Sequence, residues 1–202
     1  MIAKTNSASV LGIDAHPVDV EVDVSIGLST FNIVGLPDGT IKESRDRVTA
    51  AVTNSGFNFP VRRIVVNLAP AALRKIGSGF DLPIALALLG ALRYFPEQVL
   101  EKVMVVGELS LDGAIRPIRG ILPVAVAARD HGFEQLILPK ANEAEAAVVE
   151  EVRRVPWSGS PPPSEARSAL PSPSTHRFLR DSADPTRSII SVLSCAPLVI
   201  RH

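Results

Sequence analysis

The stretch VMVVGELSLDGAIRPIRGILPVAVAARDHGFEQLILPKAN, residues 103–142, carries the decisive pattern of this chain. VMVVGEL (103–109) is uniformly apolar up to Glu108 and reads as a buried strand. Asp112-Gly113 supplies a tight turn, and AIRPI returns as its partner strand. Apolar residues at helical spacing then predict a helix over about 120–131, followed by the strand QLILP (135–139) and a last helix over 141–151 with Asn142 near its cap.

Working backwards, GFDLPIALALLGAL (79–92) predicts an apolar helix from about 82 to 93. Asp81 stands where a cap is needed, and Pro83 falls in the first turn, where its missing donor costs nothing. This helix shows no polar face until Arg93, so both its sides need cover. RRIVVNLAP (62–70) reads as a strand and AALRKIGSG as a loop.

Nearer the N-terminus, ASVLGI (8–13) and VDVEVDVSI (18–26) read as strands. The second alternates strictly, with Val18, Val20, Val22, Val24 and Ile26 on one face and Asp19, Glu21, Asp23 and Ser25 on the other. FNIVGL (31–36) gives a third strand. Thr40 and Glu43 have capping-box spacing before a helix over about 41–54, and Gly56 stops it. Strands come first and then alternate with helices, which predicts an α/β class, an α+β sandwich.

Composition bounds the rest. The chain has 202 residues, enough for one substantial core, and only 4% aromatic residues, so the core is aliphatic. A net charge of zero argues against a wholly basic nucleic-acid binder. One cysteine, Cys195, forms no internal disulfide, and no stretch reads as a signal peptide or a membrane span; the expectation is a cytoplasmic chain.

The character changes near residue 155. Residues 156–202 hold eight of the 17 prolines, ten serines and five arginines, with no lysine. Clusters such as SGSPPPS and LPSPS bury little. The expected organisation is a domain over 1–151 and a Pro/Ser-rich tail over 152–202. That tail is read either as a disordered linker or as a product of a slipped reading frame. SIISVLSCAPLVI (188–200) has strand or short-helix composition but no functional reading.

Site chemistry is sparse. GxxxxGK[ST] does not occur, so no residue here grips nucleotide phosphates. Gly77-Ser78-Gly79 before a helix offers backbone N–H groups to an anion, though such glycines more often only turn the chain. The histidines, at 16, 131, 176 and 202, lack metal-ligand spacing, and the Asp19/Glu21/Asp23 stripe reads as a solvated strand face. Basic residues gather at Arg45, Arg47, Arg62, Arg63, Arg74 and Lys75 and are the candidate DNA contacts. Against that reading, Glu43 and Asp46 stand ready to balance Arg45 and Arg47, and no aromatics interleave for base stacking.

Residues 77–142 resemble the Lon-type protease domain, with its ribosomal-protein-like α/β sandwich. There a GPSAG-like turn carries the nucleophilic serine, and a helix after a PIGG-like turn carries the lysine that activates it. Set against those turns, GFDLPIA places Asp81 at the approximate serine position and RPIRGILPVAVAA places Leu122 at the approximate lysine position. Neither residue starts acyl transfer, and Ser78 and Ser110 have no apparent base. A serine bonded to a buried lysine would overturn that conclusion.

A longer match covers nearly all of residues 5–150. VGLPDGTIKESRDRVTAAVTNSGFNFP, RRIVVNLAPAALRKIGSGFDLPIALALL and GELSLDG with IRPIRG resemble the N-terminal domain of the ComM/YifB family of magnesium-chelatase-like AAA+ ATPases. The resemblance implies a non-catalytic domain that precedes an ATPase module. It further implies a homo-hexamer and ATP- and Mg-dependent branch migration of DNA during natural transformation. The Walker A motif of that module is not in this sequence, so the chain reads as a fragment without its own cofactor. The alternatives are a diverged Lon-like peptidase and a free-standing interaction domain that regulates a full-length paralogue.

Overall fold

Seven strands, in the spatial order 30–34, 63–69, 14–25, 2–11, 103–105, 135–139 and 153–157, make one mixed sheet, and helices lie on both faces of it. The computed structural model describes residues 1–157. In chain order the elements are β1 (Ile2–Leu11), β2 (Asp14–Ser25), β3 (Thr30–Val34), α1 (Gly39–Lys42), α2 (Ser44–Asn54), β4 (Arg63–Ala69) and α3 (Asp81–Ala91). They continue with β5 (Val103–Val105), β6 (Glu108–Leu109), β7 (Ile115–Arg116), α4 (Ile121–Asp130), β8 (Gln135–Pro139), α5 (Glu143–Ala146) and β9 (Arg153–Trp157). The α/β class expected from the sequence is the class observed.

β1 and β2 form a long antiparallel hairpin, and β2 pairs antiparallel with β4. The pairs β3–β4, β1–β5, β5–β8 and β8–β9 are parallel. The period-two pattern of β2 does what it predicts. Val18, Val20, Val22 and Val24 are buried beneath α2 and α3, while Asp19, Glu21 and Asp23 stay half-exposed on the other face. A second cluster on that other face joins Met104, Leu136 and Leu138 of the sheet to Ile121, Val124 and Ala128 of α4. The sheet therefore separates two apolar cores.

α3 is buried along its whole length, as its lack of a polar face requires. The β1 residues beneath it are small: Ala3, Thr5 and Ser7 are all buried, and a Cβ placed on Gly90 of α3 would stand 3.3 Å from Ala3 Cβ. Helix and strand approach closely because neither carries bulk at the crossing. The Thr5 and Ser7 hydroxyls have no hydrogen-bond partner there, a cost of that close approach.

Several boundaries move from their expected places. The helix expected over 41–54 is two helices that meet at Glu43. Asp38, and not the Thr40/Glu43 pair, caps the first of them, because its Oδ1 accepts the Ile41 N–H at 2.9 Å. The strand 103–109 is broken at Val106 and Gly107 into β5 and β6, and β6 leaves the sheet to pair with β7 across the Asp112-Gly113 turn. The helix expected over 141–151 is a 3-10 turn over Lys140–Asn142 and the short α5, after which the chain returns as β9.

β9 also shifts the expected domain boundary. RRVPW pairs in parallel with β8, and Val155 is buried against the larger core, so the sheet runs past residue 151 to Trp157. The rest of the expected tail, 158–202 with its SIISVLSCAPLVI segment, lies outside the described residues.

The glycine that follows β3 is fixed by geometry. Gly35 has φ +97°, and a Cβ there would fall 2.1 Å from the Leu68 carbonyl oxygen. Gly39, in α1, has open space and no positive φ. Gly35→Ala is expected to cost about 3 kcal/mol or more in urea denaturation, since the contact is backbone and cannot rotate away. Gly39→Ala is expected to be neutral or to stabilise by about 0.5–1 kcal/mol. Equal effects of the two would show that the Gly35–Leu68 approach is not a constraint.

Candidate functional site

The turn Gly77–Asp81 sits where the loop after β4 enters α3, and two other segments close on it. Gly107 N–H donates to the Gly79 carbonyl at 2.9 Å, and Leu82 N–H donates to the Gly107 carbonyl at 3.0 Å. A Cβ on Gly79 would lie 3.6 Å from Ile118 Cδ1, so the turn also touches the RPIRG segment that leads into α4. The two turns aligned above with the serine and lysine turns of a Lon-type domain thus pack together.

What they bring together is an ion pair. Asp81 is the first residue of α3, fully buried, and its carboxylate does not cap the helix as the sequence suggests. Instead Arg47 Nε donates to Asp81 Oδ2 at 2.6 Å and Arg47 Nη2 to Oδ1 at 3.0 Å, a two-pronged contact. The Leu109 N–H of β6 donates to the same carboxylate at 3.1 Å. The remaining reach of Arg47 goes to the Thr40 carbonyl at 3.0 Å, Ser44 Oγ at 3.2 Å and Glu43 Oε2 at 3.6 Å. Burial pushes the Asp81 carboxyl up, while the Arg47 and Ser44 bonds and the Leu109 amide pull against it. The Asp81 bond raises the Arg47 guanidinium in turn.

Ser78 Oγ bonds to Glu108 Oε2. The buried lysine of this region is Lys75, and its ammonium donates to the Pro70 carbonyl and to the Gly35 carbonyl, the latter at 2.9 Å. Both acceptors are carbonyls, and neither is a serine hydroxyl. Burial pushes the Lys75 amine down. Its backbone ties β3 to this loop as well: Lys75 N–H meets the Leu36 carbonyl at 3.3 Å, and Asp38 N–H the Lys75 carbonyl at 3.2 Å. Leu122 lies in the first turn of α4, partly exposed, with its N–H donating to Glu145 Oε1 at 3.3 Å.

The six basic candidates do not form one patch. Arg47 is spent on Asp81, and Lys75 is fully buried, so the expectation that these two face a phosphate is corrected. Arg45, Arg62, Arg63 and Arg74 are exposed. Arg63 begins β4 beside Thr30, and Arg45 lines a groove with Phe31 and Asn32, so Arg45, Arg62 and Arg63 gather about the start of β3. Arg74 lies past the other end of β4, a strand of roughly 20 Å. Sequence reasoning missed Ser44, Glu108 and the Asp81 pairing of Arg47. The spacing of Arg47 to Glu43 gave a nearer partner, and no local signal points across 34 residues to Asp81.

Among the described residues no group of His, Cys, Asp and Glu is placed to hold a metal ion, and no helix is long and apolar enough to cross a membrane.

The mixed sheet with helices on both faces is an α/β domain, and distant likeness to Lon proteases places it in the Lon-like class. The chain is 30% identical to Lon protease 2 of Thermus thermophilus over 135 residues, which is 63% of this chain and 16% of that one. A family model, subunit ChlI of Mg-chelatase, matches residues 20–142. The chain is 43% identical over 144 residues to the uncharacterized protein YifB of Escherichia coli K12 (71% of this chain, 28% of that protein). It is 41% identical over 150 residues to the competence protein ComM of Haemophilus influenzae (74% and 29%). The chain belongs to this magnesium-chelatase-like family, as the N-terminal domain of the ComM/YifB kind. It spans about 30% of the length of the curated relatives it matches.

Removing one member of the buried pair strands the other. Arg47→Leu is expected to destabilise the domain by about 3–5 kcal/mol, and the double change Arg47→Leu/Asp81→Leu to recover part of that loss. Additive losses in a denaturation cycle would contradict the pairing.

Proposed function

We propose that this domain is a non-catalytic positioning element of a ComM/YifB-type protein, and that the ATP- and Mg-dependent work on DNA belongs to a magnesium-chelatase-like ATPase module beside it. The observation that carries the reading is the state of Asp81. At the approximate place where a Lon-type domain needs an activated hydroxyl, this chain has a buried carboxylate held at both oxygens by Arg47. Leu122, at the approximate lysine position, has no basic atom to accept a proton, and the Lys75 ammonium is engaged by two carbonyls. What would be a reaction centre is used instead to tie α2, α3 and β6 together.

The name of the H. influenzae relative, a competence protein, supports DNA as the substrate of the whole protein. We place the assembly, a homo-hexamer formed through the ATPase module, in the cytoplasm. Within this domain Arg45, Arg62 and Arg63 are the proposed phosphate contacts, as the exposed arginines that share one end of the sheet.

Two measurements test this. Incubation with a fluorophosphonate and with casein is expected to leave Ser78 and Ser110 unlabelled and the casein intact; labelling or turnover at either serine overturns the non-catalytic reading. Branched DNA is expected to bind at low ionic strength. Arg62→Gln/Arg63→Gln is then expected to flatten the slope of log affinity against log salt by about two. An unchanged slope, or no binding at low salt, removes the DNA contact.

A further inference from the structure

Building on the ATPase module assigned above, we propose that the corner formed by Leu36, Arg74 and Ile76 is the surface on which that module docks, through an apolar side chain flanked by a carboxylate. Leu36 has φ +59°, a left-handed backbone that costs a leucine about five- to thirty-fold in population. Glycine would adopt it freely. Yet the Leu36 side chain is 58% exposed and belongs to neither apolar core, so its own domain gains little from it. A strained leucine that packs on nothing at home serves a contact outside the domain.

The strain is held from across the corner. Lys75 Nζ donates to the Gly35 carbonyl at 2.9 Å, and the Lys75 N–H to the Leu36 carbonyl at 3.3 Å. In return, the Asp38 N–H donates to the Lys75 carbonyl at 3.2 Å, and the Gly77 N–H to Asp38 Oδ2 at 3.2 Å. These bonds lay residues 36–38 beside 75–77 and bring Ile76, also about half exposed, to the same corner.

Charge selects what covers it. Lys75 is fully buried, and its ammonium meets two carbonyls and no carboxylate. Arg74 is exposed and has no ion pair among the described residues. Asp38 is the carboxylate bonded into these two segments, and its oxygens are taken by the Ile41 and Gly77 amides. The corner therefore favours a partner that brings an acid to Arg74 and apolar surface to Leu36 and Ile76. DNA would meet Arg74 but leave both apolar side chains in water. A second copy of the corner would bring the same excess of positive charge.

Topology places the module at this end. Of the seven strands of the sheet, β2 alone runs against the others. β3, β4 and β9 therefore finish at the same end of the sheet. Leu36 follows β3 there, Arg74 and Ile76 follow β4, and the chain leaves the domain at Trp157, the last residue of β9. The matched part is 28–30% of each relative, and as an N-terminal domain it is followed by the rest, which starts from that end.

Urea denaturation of the 202-residue chain gives the first test. Leu36→Gly is expected to leave the midpoint unchanged or raised; a lowered midpoint shows that Leu36 serves its own fold and overturns the proposal. For the second, residues 1–157 replace the matching segment of E. coli YifB, and a photo-reactive benzophenone amino acid replaces Leu36. Cross-links are expected into the ATPase module, on a peptide that contains an acid, with the yield cut about fivefold by Arg74→Glu. Cross-links into a second copy of this domain, or none, overturn the docking surface but leave the ATPase reading standing. Absence of ATP turnover by the same protein would instead remove that reading.

Discussion

The two-pronged bond between Arg47 and Asp81 is the constraint on which the rest of the domain depends. A carboxylate with no exposed surface at the head of an apolar helix is tolerable only if its charge is met, and Arg47 meets it with two nitrogens while the Leu109 amide adds a third donor. Each contact belongs to a different element. α2 supplies the guanidinium, α3 the acid and β6 the amide, so the orientation of all three is set by one side chain. Arg47 itself is held by the Thr40 carbonyl and Ser44 Oγ, which fixes the bend between α1 and α2 at Glu43.

With that corner fixed, the sheet can be lopsided. One face is buried under α2 and α3 and is almost wholly aliphatic; the other is covered by α4, which lies against β1, β2 and β8, but leaves Asp19, Glu21 and Asp23 half-exposed. β1 lies between the halves, and its Ala3, Thr5 and Ser7 are small because α3 lies against them. The unpartnered hydroxyls of Thr5 and Ser7 are the cost of close approach in a core with few aromatics to fill space.

Elements whose pattern is set by their own neighbours were legible from sequence. β2, β4, α4, β8 and the Asp112-Gly113 turn declare themselves by period two, period 3.6 or a glycine at positive φ, and each stands within a few residues of its expected place. The misreadings share one cause, which is a partner far away in the chain. Arg47 and Lys75 look like surface cations because the acid and the carbonyls that hold them lie up to 40 residues off. Asp81 looks like a cap for the same reason. β9 escaped notice because its five residues carry no alternation of their own and begin where composition turns to proline and serine; only its register beside β8 makes it a strand.

The same distinction bears on the site. A Lon-type resemblance directs attention to two turns, and the structure does bring those turns into contact through Gly79, Gly107 and Ile118. Juxtaposition is a property of the fold, and it persists whatever residues occupy the turns. Chemistry needs more: a nucleophile that can lose a proton and a base free to take it. Here one position carries a carboxylate whose charge is fully engaged and the other an alkyl chain, while the one serine hydroxyl on the turn is bonded to the Glu108 carboxylate. What the two turns hold between them is a buried salt bridge whose opposite charges are already matched.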